Sequence, residues 1–316
     1  MASRFYALMF VAMTGILGMV SPPDLALMMV QAQTTQDRKA EAARLISQGN
    51  QQFYISQFDA ALQSYQQALN IYREIKFRQG ELGALGGIGI AYDSLGKYDK
   101  AIEFHLQSLA IAREIKDRLG EGNALQGLGI AYNSLGKYDK AIEFHLESLA
   151  ITREIKDRLV EGRSLGNLGI AYYSLGKYDK AIEFHLQSLA IDREIKDRLG
   201  ELRSLGSLGS AYYSLGKYDK AIEFQLQSLE IAWEIKDRLG EGNALGNLGL
   251  AYDSLDKYDK AIKFYLQSLA IAREIKDRLG EAAALNNLGV AFNKINQSEL
   301  AILFYKQSVN VIESIR

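Results

Sequence analysis

Seven glycines, Gly49, Gly89, Gly129, Gly169, Gly209, Gly249 and Gly289, recur at one constant interval, and no other feature limits the fold so sharply. Seven alanines, from Ala61 through Ala101, Ala141, Ala181, Ala221 and Ala261 to Ala301, keep the same step. The segment GKYDKAIEFHLQSLAI recurs word for word at 96–111 and 176–191. Units this short cannot each bury an apolar face alone, so the period predicts a row of like units stacked on their neighbours. The units fall near 42–81, 82–121, 122–161, 162–201, 202–241, 242–281 and 282–316.

Within a unit the pattern is that of two helices. In the third, Asp117 is placed to cap a helix over Arg118 to Ser134, with Leu125, Leu128 and Tyr132 on one side, and Gly136 permits the turn. A second helix from Tyr138 to about Lys156 carries Ala141, Ile142, His145, Leu149, Thr152 and Ile155 on one face at spacings of three and four. Strand-type alternation never persists. Gly122, Gly127 and Gly129 each cost the first helix about 1 kcal/mol relative to Ala. The expected compensation is close approach of the second helix at Ala141, with Gly169 against Ala181 in the next unit and Tyr132 and Tyr138 filling the wider gaps.

Leu125, Leu128, Gly129, Tyr132, Gly136, Tyr138, Ala141 and Leu149 resemble the tetratricopeptide (TPR) signature. The period exceeds that of the basic repeat and is similar to the extended TPRs of partner-of-inscuteable proteins, with kinesin light chains a near relative. The wording AREIKDRLGEGNALQGLG also resembles TPR tracts that precede CHAT protease-like domains in cyanobacterial proteins. The resemblance covers 42–316 and implies an all-α, α-α superhelical solenoid of seven TPR-like helical hairpins. HEAT and armadillo units have a comparable period, but the Gly-Tyr-Ala spacing argues against them. Departures from the pattern are few. His105, His145, His185 and Gln225 stand where many TPRs have Tyr or Phe, while Tyr65, Tyr265 and Tyr305 keep the ring. Gln52, Asn296 and Ser298 make the first and last units less regular.

The segment 1–32 is of another kind. All six methionines and both prolines fall there, Phe5–Val20 is an uncharged apolar run, and Val30-Gln31-Ala32 has the form of a cleavage site. A signal peptide over 1–32 is expected, with a short lead-in at 33–41 and a product that is periplasmic or secreted. The alternative is an anchor through the N-terminal segment; with the leader cleaved, no membrane insertion is expected.

Chemistry is harder to place. With no cysteine there is no disulfide, thiol nucleophile or Cys-type zinc site. The three histidines lie one full period apart, too far to share one ion, and each is expected to pack between its own second helix and the next repeat. No nucleophile-base-carboxylate set and no phosphate loop appears, so no catalysis, cofactor or metal is expected. Lys plus Arg number 37 against 38 Asp plus Glu, which leaves no bulk field to collect nucleic acid. The run REIKDRLGE, with Glu114 to Arg118 and Arg113 to Asp117 at i,i+4, reads as a solvated rim.

Variation among the copies concentrates on one stripe of the first helices. Asn123, Arg163, Arg203 and Asn243 share one position; Asn167, Ser207, Asn247 and Asn287 the next; and Asn133, Tyr173 and Tyr213 a third, alongside Asp93, Asp253 and Asn293. By the TPR resemblance, first helices line the concave side, so this stripe becomes the floor of a groove for an extended or helical peptide. Arg163, Arg203, Tyr173 and Tyr213 make units 4 and 5 the expected centre, with an acidic segment or free carboxylate as the favoured ligand. Alternatives are a structural or self-associating solenoid and a regulatory TPR module of a larger effector system.

Overall fold

The computed structural model describes residues 22–315, and among these there is no strand. The chain divides into two compact units, through Lys116 and from Asp117 onward. The first holds α1 (Pro22–Tyr54), α2 (Phe58–Glu74), α3 (Arg78–Ser94) and α4 (Tyr98–Glu114). The second holds α5 (Arg118–Ser134), α6 (Tyr138–Glu154), α7 (Arg158–Ser174), α8 (Tyr178–Ile195), α9 (Arg198–Ser214), α10 (Tyr218–Ile235), α11 (Arg238–Ser254), α12 (Tyr258–Glu274), α13 (Arg278–Lys294) and α14 (Ser298–Glu313). These pair as two hairpins and five, in the order the repeat predicts, and the fold class is an all-α solenoid.

Phe5–Val20, the apolar run of the expected leader, lies outside the described residues. The expected cleavage site and the 33–41 lead-in both fall inside α1. No helix among the described residues is long and apolar enough to cross a membrane.

Local chemistry sets the helix limits. Asp117, Asp157, Asp197, Asp237 and Asp277 each accept from the amide three positions on, at 2.9–3.0 Å, which satisfies one orphan donor at the start of each first helix. First helices end in a left-handed residue: Gly136, Gly176 and Gly216 at φ near +70°, then Asp256 and Asn296. Second helices reach the same region with lysine, at Lys156, Lys196, Lys236 and Lys276. That left-handed lysine ends the second helix: α6 stops at Glu154, just short of Lys156.

Packing in the second unit runs through each second helix to both neighbours. Ala141, Ile142 and Leu149 of α6 pack with Leu165, Leu168 and Ala171 of α7 and Ile191 of α8, all buried. Tyr132 stacks on Phe144, and the equivalent pairs Tyr172 with Phe184, Tyr212 with Phe224, Tyr252 with Phe264 and Phe292 with Phe304 all have centroids 5.2–5.4 Å apart.

The glycines serve a different partner from the expected one. A Cβ at Gly169 would meet the His185 ring at 2.5 Å, and Gly129 faces His145 in the same way. Gly249 and Gly289 face Tyr265 and Tyr305. So Gly169 makes room for a ring one turn beyond Ala181, and each histidine packs onto the first helix of its own hairpin. In the first unit Gly89 does the same for His105.

The charged rim is also more structured than a solvated face. Arg158 pairs with Glu161 and Glu194, while Arg153 reaches Glu161 at 2.9 Å. Glu161 is only 5% exposed, so a buried acid lies between two guanidiniums at the joint of two hairpins. Arg193, Glu201, Arg198 and Glu234 repeat the arrangement. Trp233 replaces the bridging arginine at the following joint, 58% exposed, and Glu241 keeps Arg238 as its ion-pair partner.

Candidate functional site

The first helices of the fourth to sixth hairpins position most of the variable stripe around shared space. Between α9 and α11, with α10 behind, lies a cavity of about 700 Å³ lined by Tyr173, Arg203, Ser207, Asn243 and Asn247. A second, of about 240 Å³, lies between α7 and α9 and is lined by Arg163, Asn167, Arg203 and Ser207. Arg203 and Ser207 border both, so the two cavities together span the first helices of hairpins 4 to 6. Asn123, Asn133, Tyr213 and Asn287 line neither cavity. Asn123 is exposed on α5, Asn287 is half-buried, and Asn133 buries an amide oxygen that has no partner.

Arg163 and Arg203 sit exposed at one register on successive first helices, with no fixed carboxylate partner among the ion pairs of the described residues in this region. Tyr173 and Tyr213 are more constrained. The Tyr173 hydroxyl lies 2.9 Å from Ser214 Oγ, and Tyr213 lies 3.0 Å from Ser254 Oγ, each reaching the next hairpin. Their rings tilt against Tyr178 and Tyr218 at centroid distances of 5.3 and 5.4 Å. With both hydroxyls engaged, Tyr173 borders the larger cavity, while Tyr213 borders a smaller space of about 190 Å³ beside it.

Two residues lining the cavities are given no binding role by the sequence pattern. Asp192 stands where the neighbouring hairpins have Thr152 and Ala232, and it is 5% exposed on the wall of the smaller cavity. Ser204 donates to it at 2.7 Å, and Ser188 lies 3.5 Å away. Burial raises its carboxyl above the ordinary value; Asp197 and Glu201 add to this, while the serine bonds oppose it. Gln225 is visible as a departure from the ring position, and it lines the larger cavity at 1% exposure. The available signal in both cases is a single break in an otherwise regular column.

The three histidines lie in unlike surroundings. Desolvation holds His145 and His185 down at about 4, so both are neutral through the physiological range. His105 Nε2 lies 3.0 Å from Asp93. Among the described residues no three His, Cys, Asp or Glu side chains converge as a metal site would require.

A family profile described as tetratricopeptide repeat matches residues 41–114, 80–154, 120–194, 160–234, 200–274 and 240–314. No curated protein matches the chain. Among solved structures, aspartyl phosphate phosphatase F from Bacillus subtilis is 16% identical, with a TM-score of 0.69 over 94% of this chain and 76% of that one. The Rap conjugation gene regulator of plasmid pLS20, in complex with a Phr peptide, is 16% identical with a TM-score of 0.61, covering 86% of this chain and 73% of that one. A putative kinesin light chain from Podosopora anserina with nearly identical TPR-like repeats is 22% identical with a TM-score of 0.53, covering 61% of this chain and 96% of that one. At these identities the likeness is one of fold.

Proposed function

Since the chain belongs to the tetratricopeptide repeat family, we propose that it is a non-catalytic scaffold that binds a peptide or protein segment along the first helices of hairpins 4 to 6. The observation that carries this is the 700 Å³ cavity and its neighbour, both bordered by Arg203 and lined by residues that differ from copy to copy. The peptide held by the pLS20 regulator supports the reading by analogy of fold. Arg163 and Arg203 offer planar forks, so the ligand presents an acidic segment or a free carboxylate. Other parts of the proposal are export with cleavage after Ala32, which rests on the leader pattern, and kinship with the extended TPRs of partner-of-inscuteable proteins or CHAT-associated tracts, which rests on period and wording.

The test is fluorescence anisotropy against a panel of peptides with acidic, neutral and basic sequences and free or amidated termini. Reversing Arg163 and Arg203 to Glu lowers affinity for the acidic set at least about tenfold, because truncating a desolvated charge pair costs about 2 kcal/mol or more. Reversing Lys263 and Lys306, exposed on α12 and α14, is the matched control. Arg118 and Arg158 do not serve, because both sit in the ion-pair ladder. Equal affinities for parent and arginine variant would move recognition off this face. Intact mass of protein from the producing cell tests export separately, with Gln33 as the expected first residue.

A further inference from the structure

Among the described residues, Asp192 is the only buried acid that lines either cavity of the groove. Thr152 and Ala232 hold its place in the adjacent hairpins, which pack without a carboxyl there. Its serine bonds both go to one oxygen: Ser204 donates to Oδ2 at 2.7 Å, and Ser188 Oγ lies 3.5 Å from it. Oδ1 has no hydrogen-bond partner and keeps some contact with solvent. It lies in a gap between two glycines of the cavity wall, since a Cβ would come within 2.6 Å of it at Gly200 and 3.4 Å at Gly162. The adjacent joints close one side of the equivalent gap with Val160 or Leu202.

A buried carboxylate that accepts only neutral bonds is costly in its ionised form, and a cation that also donates stabilises it most. The chain supplies none: the groups that act on Asp192 are Asp197, Glu201 and the two serines. Arg163 and Arg203 border the same cavity but sit exposed, and neither takes part in an ion pair. His185 on the same wall is neutral, and Asp197 Oδ1 is engaged by the Gly200 amide. The space of about 240 Å³ thus has two positive charges at its mouth and an unpaired acceptor oxygen inside. A ligand of one sign is repelled by one of these, whereas a dipolar ligand is favoured by both. An ammonium is compact and turns its three donors on a flexible stem, but a guanidinium is a planar fork whose five donors one oxygen cannot satisfy.

We infer that the cavity between α7 and α9 is a lysine pocket: the ammonium of a lysine in the bound segment donates to Asp192 Oδ1, while a carboxylate beside that lysine stays on Arg163 and Arg203. This rests on the groove reading and narrows it, because the acidic segment must then carry a lysine.

The probe is Nα-acetyl-lysine, which carries both charges, titrated into the full-length protein and followed by protein-detected NMR. Nα-acetyl-lysinamide lacks the carboxylate, and Nα,Nε-diacetyl-lysine lacks the ammonium. The expected result is saturable binding of Nα-acetyl-lysine, with the diacetyl form weaker by about tenfold or more, the ratio a charge-assisted hydrogen bond supports. Asp192→Thr copies the preceding hairpin and brings Nα-acetyl-lysine down to the affinity of the diacetyl form. Glu183→Gln, at an exposed acid on α8, changes neither. Thermal unfolding of both variants confirms that they fold. Equal affinities for the two probes in the parent, an undiminished preference for the ammonium in Asp192→Thr, or no saturable shift with Nα-acetyl-lysine would each overturn the pocket. Reversal of Arg163 and Arg203 acts on the other charge, weakening Nα-acetyl-lysine but not Nα-acetyl-lysinamide. Acidic peptides that bind through the arginines with no gain from a lysine defeat only the present inference. An ammonium preference that depends on Asp192, without any peptide binding, defeats only the groove.

Discussion

Gly83 and Gly169 both lie inside first helices, yet opposite forces govern them. Nothing lies within 4 Å of a Cβ added at Gly83, so Gly83→Ala gains helix propensity and raises stability by about 0.5–1 kcal/mol. At Gly169 the same methyl meets the His185 ring, and Gly169→Ala costs about 1–3 kcal/mol by overpacking. Urea midpoints of the two variants, at constant slope, check the pair, and a common sign would contradict the ring contact. The ring itself has a pH signature. His185 and His145 sit at about 4 in the folded protein against an ordinary 6.5, so the unfolded chain takes up protons first as pH falls. Stability is therefore complete above about pH 6.5 and declines toward pH 4, by about 3 kcal/mol per ring. Replacing both by Gln, the residue that hairpin 5 already has, should flatten that part of the profile measured by urea unfolding between pH 7 and pH 4. The sequence shows that Gly169 needs a small neighbour, but Ala181 and His185 lie one turn apart on one face, and only the helix crossing decides which approaches.

Helix limits are the most legible feature, because caps and left-handed stops act within a few residues. Asp117, Gly136 and the start of α5 can be placed from the letters alone, whereas the end of α6 cannot, since nothing local marks Lys156 as left-handed. That lysine carries a strain a glycine would not. Lys156→Gly should raise stability by about 0.5–1 kcal/mol, offset in part by extra freedom in the unfolded chain, and thermal unfolding measures it. The reciprocal change, Gly136→Lys, should lower it by a similar amount. The rim resists reading at this scale because Glu161 meets one arginine from its own helix and another from the preceding one, and spacing within a helix cannot show the second. The groove is different: variation among copies points to Arg163, Arg203, Ser207 and Asn247 because an internal repeat supplies its own comparison. Asp192 and Gln225 are present in that comparison too, but their significance depends on space around them.

Across the whole molecule, a constant period makes whole hairpins removable in register. Deleting 158–197 joins Asp157 to Arg198, the same Asp-Arg junction that Arg158 has now. The shortened protein should keep its helicity per residue, as measured by circular dichroism, with a smaller urea slope because less surface is exposed on unfolding. Loss of helicity per residue would mean that the second unit depends on long-range contacts that a stacked solenoid lacks. The same deletion removes Arg163 and Tyr173, so peptide affinity should fall while helicity persists.

Near-identity between hairpins also bears on how the second unit reaches its structure. While the chain is still partly unfolded, the apolar faces of α6 and α8 are almost the same surface, and α7 or α9 can dock on either. Wrong neighbours then compete with right ones at nearly equal free energy, and two chains at high concentration can exchange hairpins. What separates the alternatives are the few side chains that break the copy. Asp192 is one of them: it takes a bond from Ser204 of α9, which Ser164 gives α7 the means to imitate but Ala244 of α11 does not, and Ala232 on α10 offers no such acceptor to an incoming first helix. A buried carboxylate that is unfavourable in the finished fold should then help to exclude a wrong neighbour earlier, and refolding of Asp192→Ala should be slower and yield more swapped dimers.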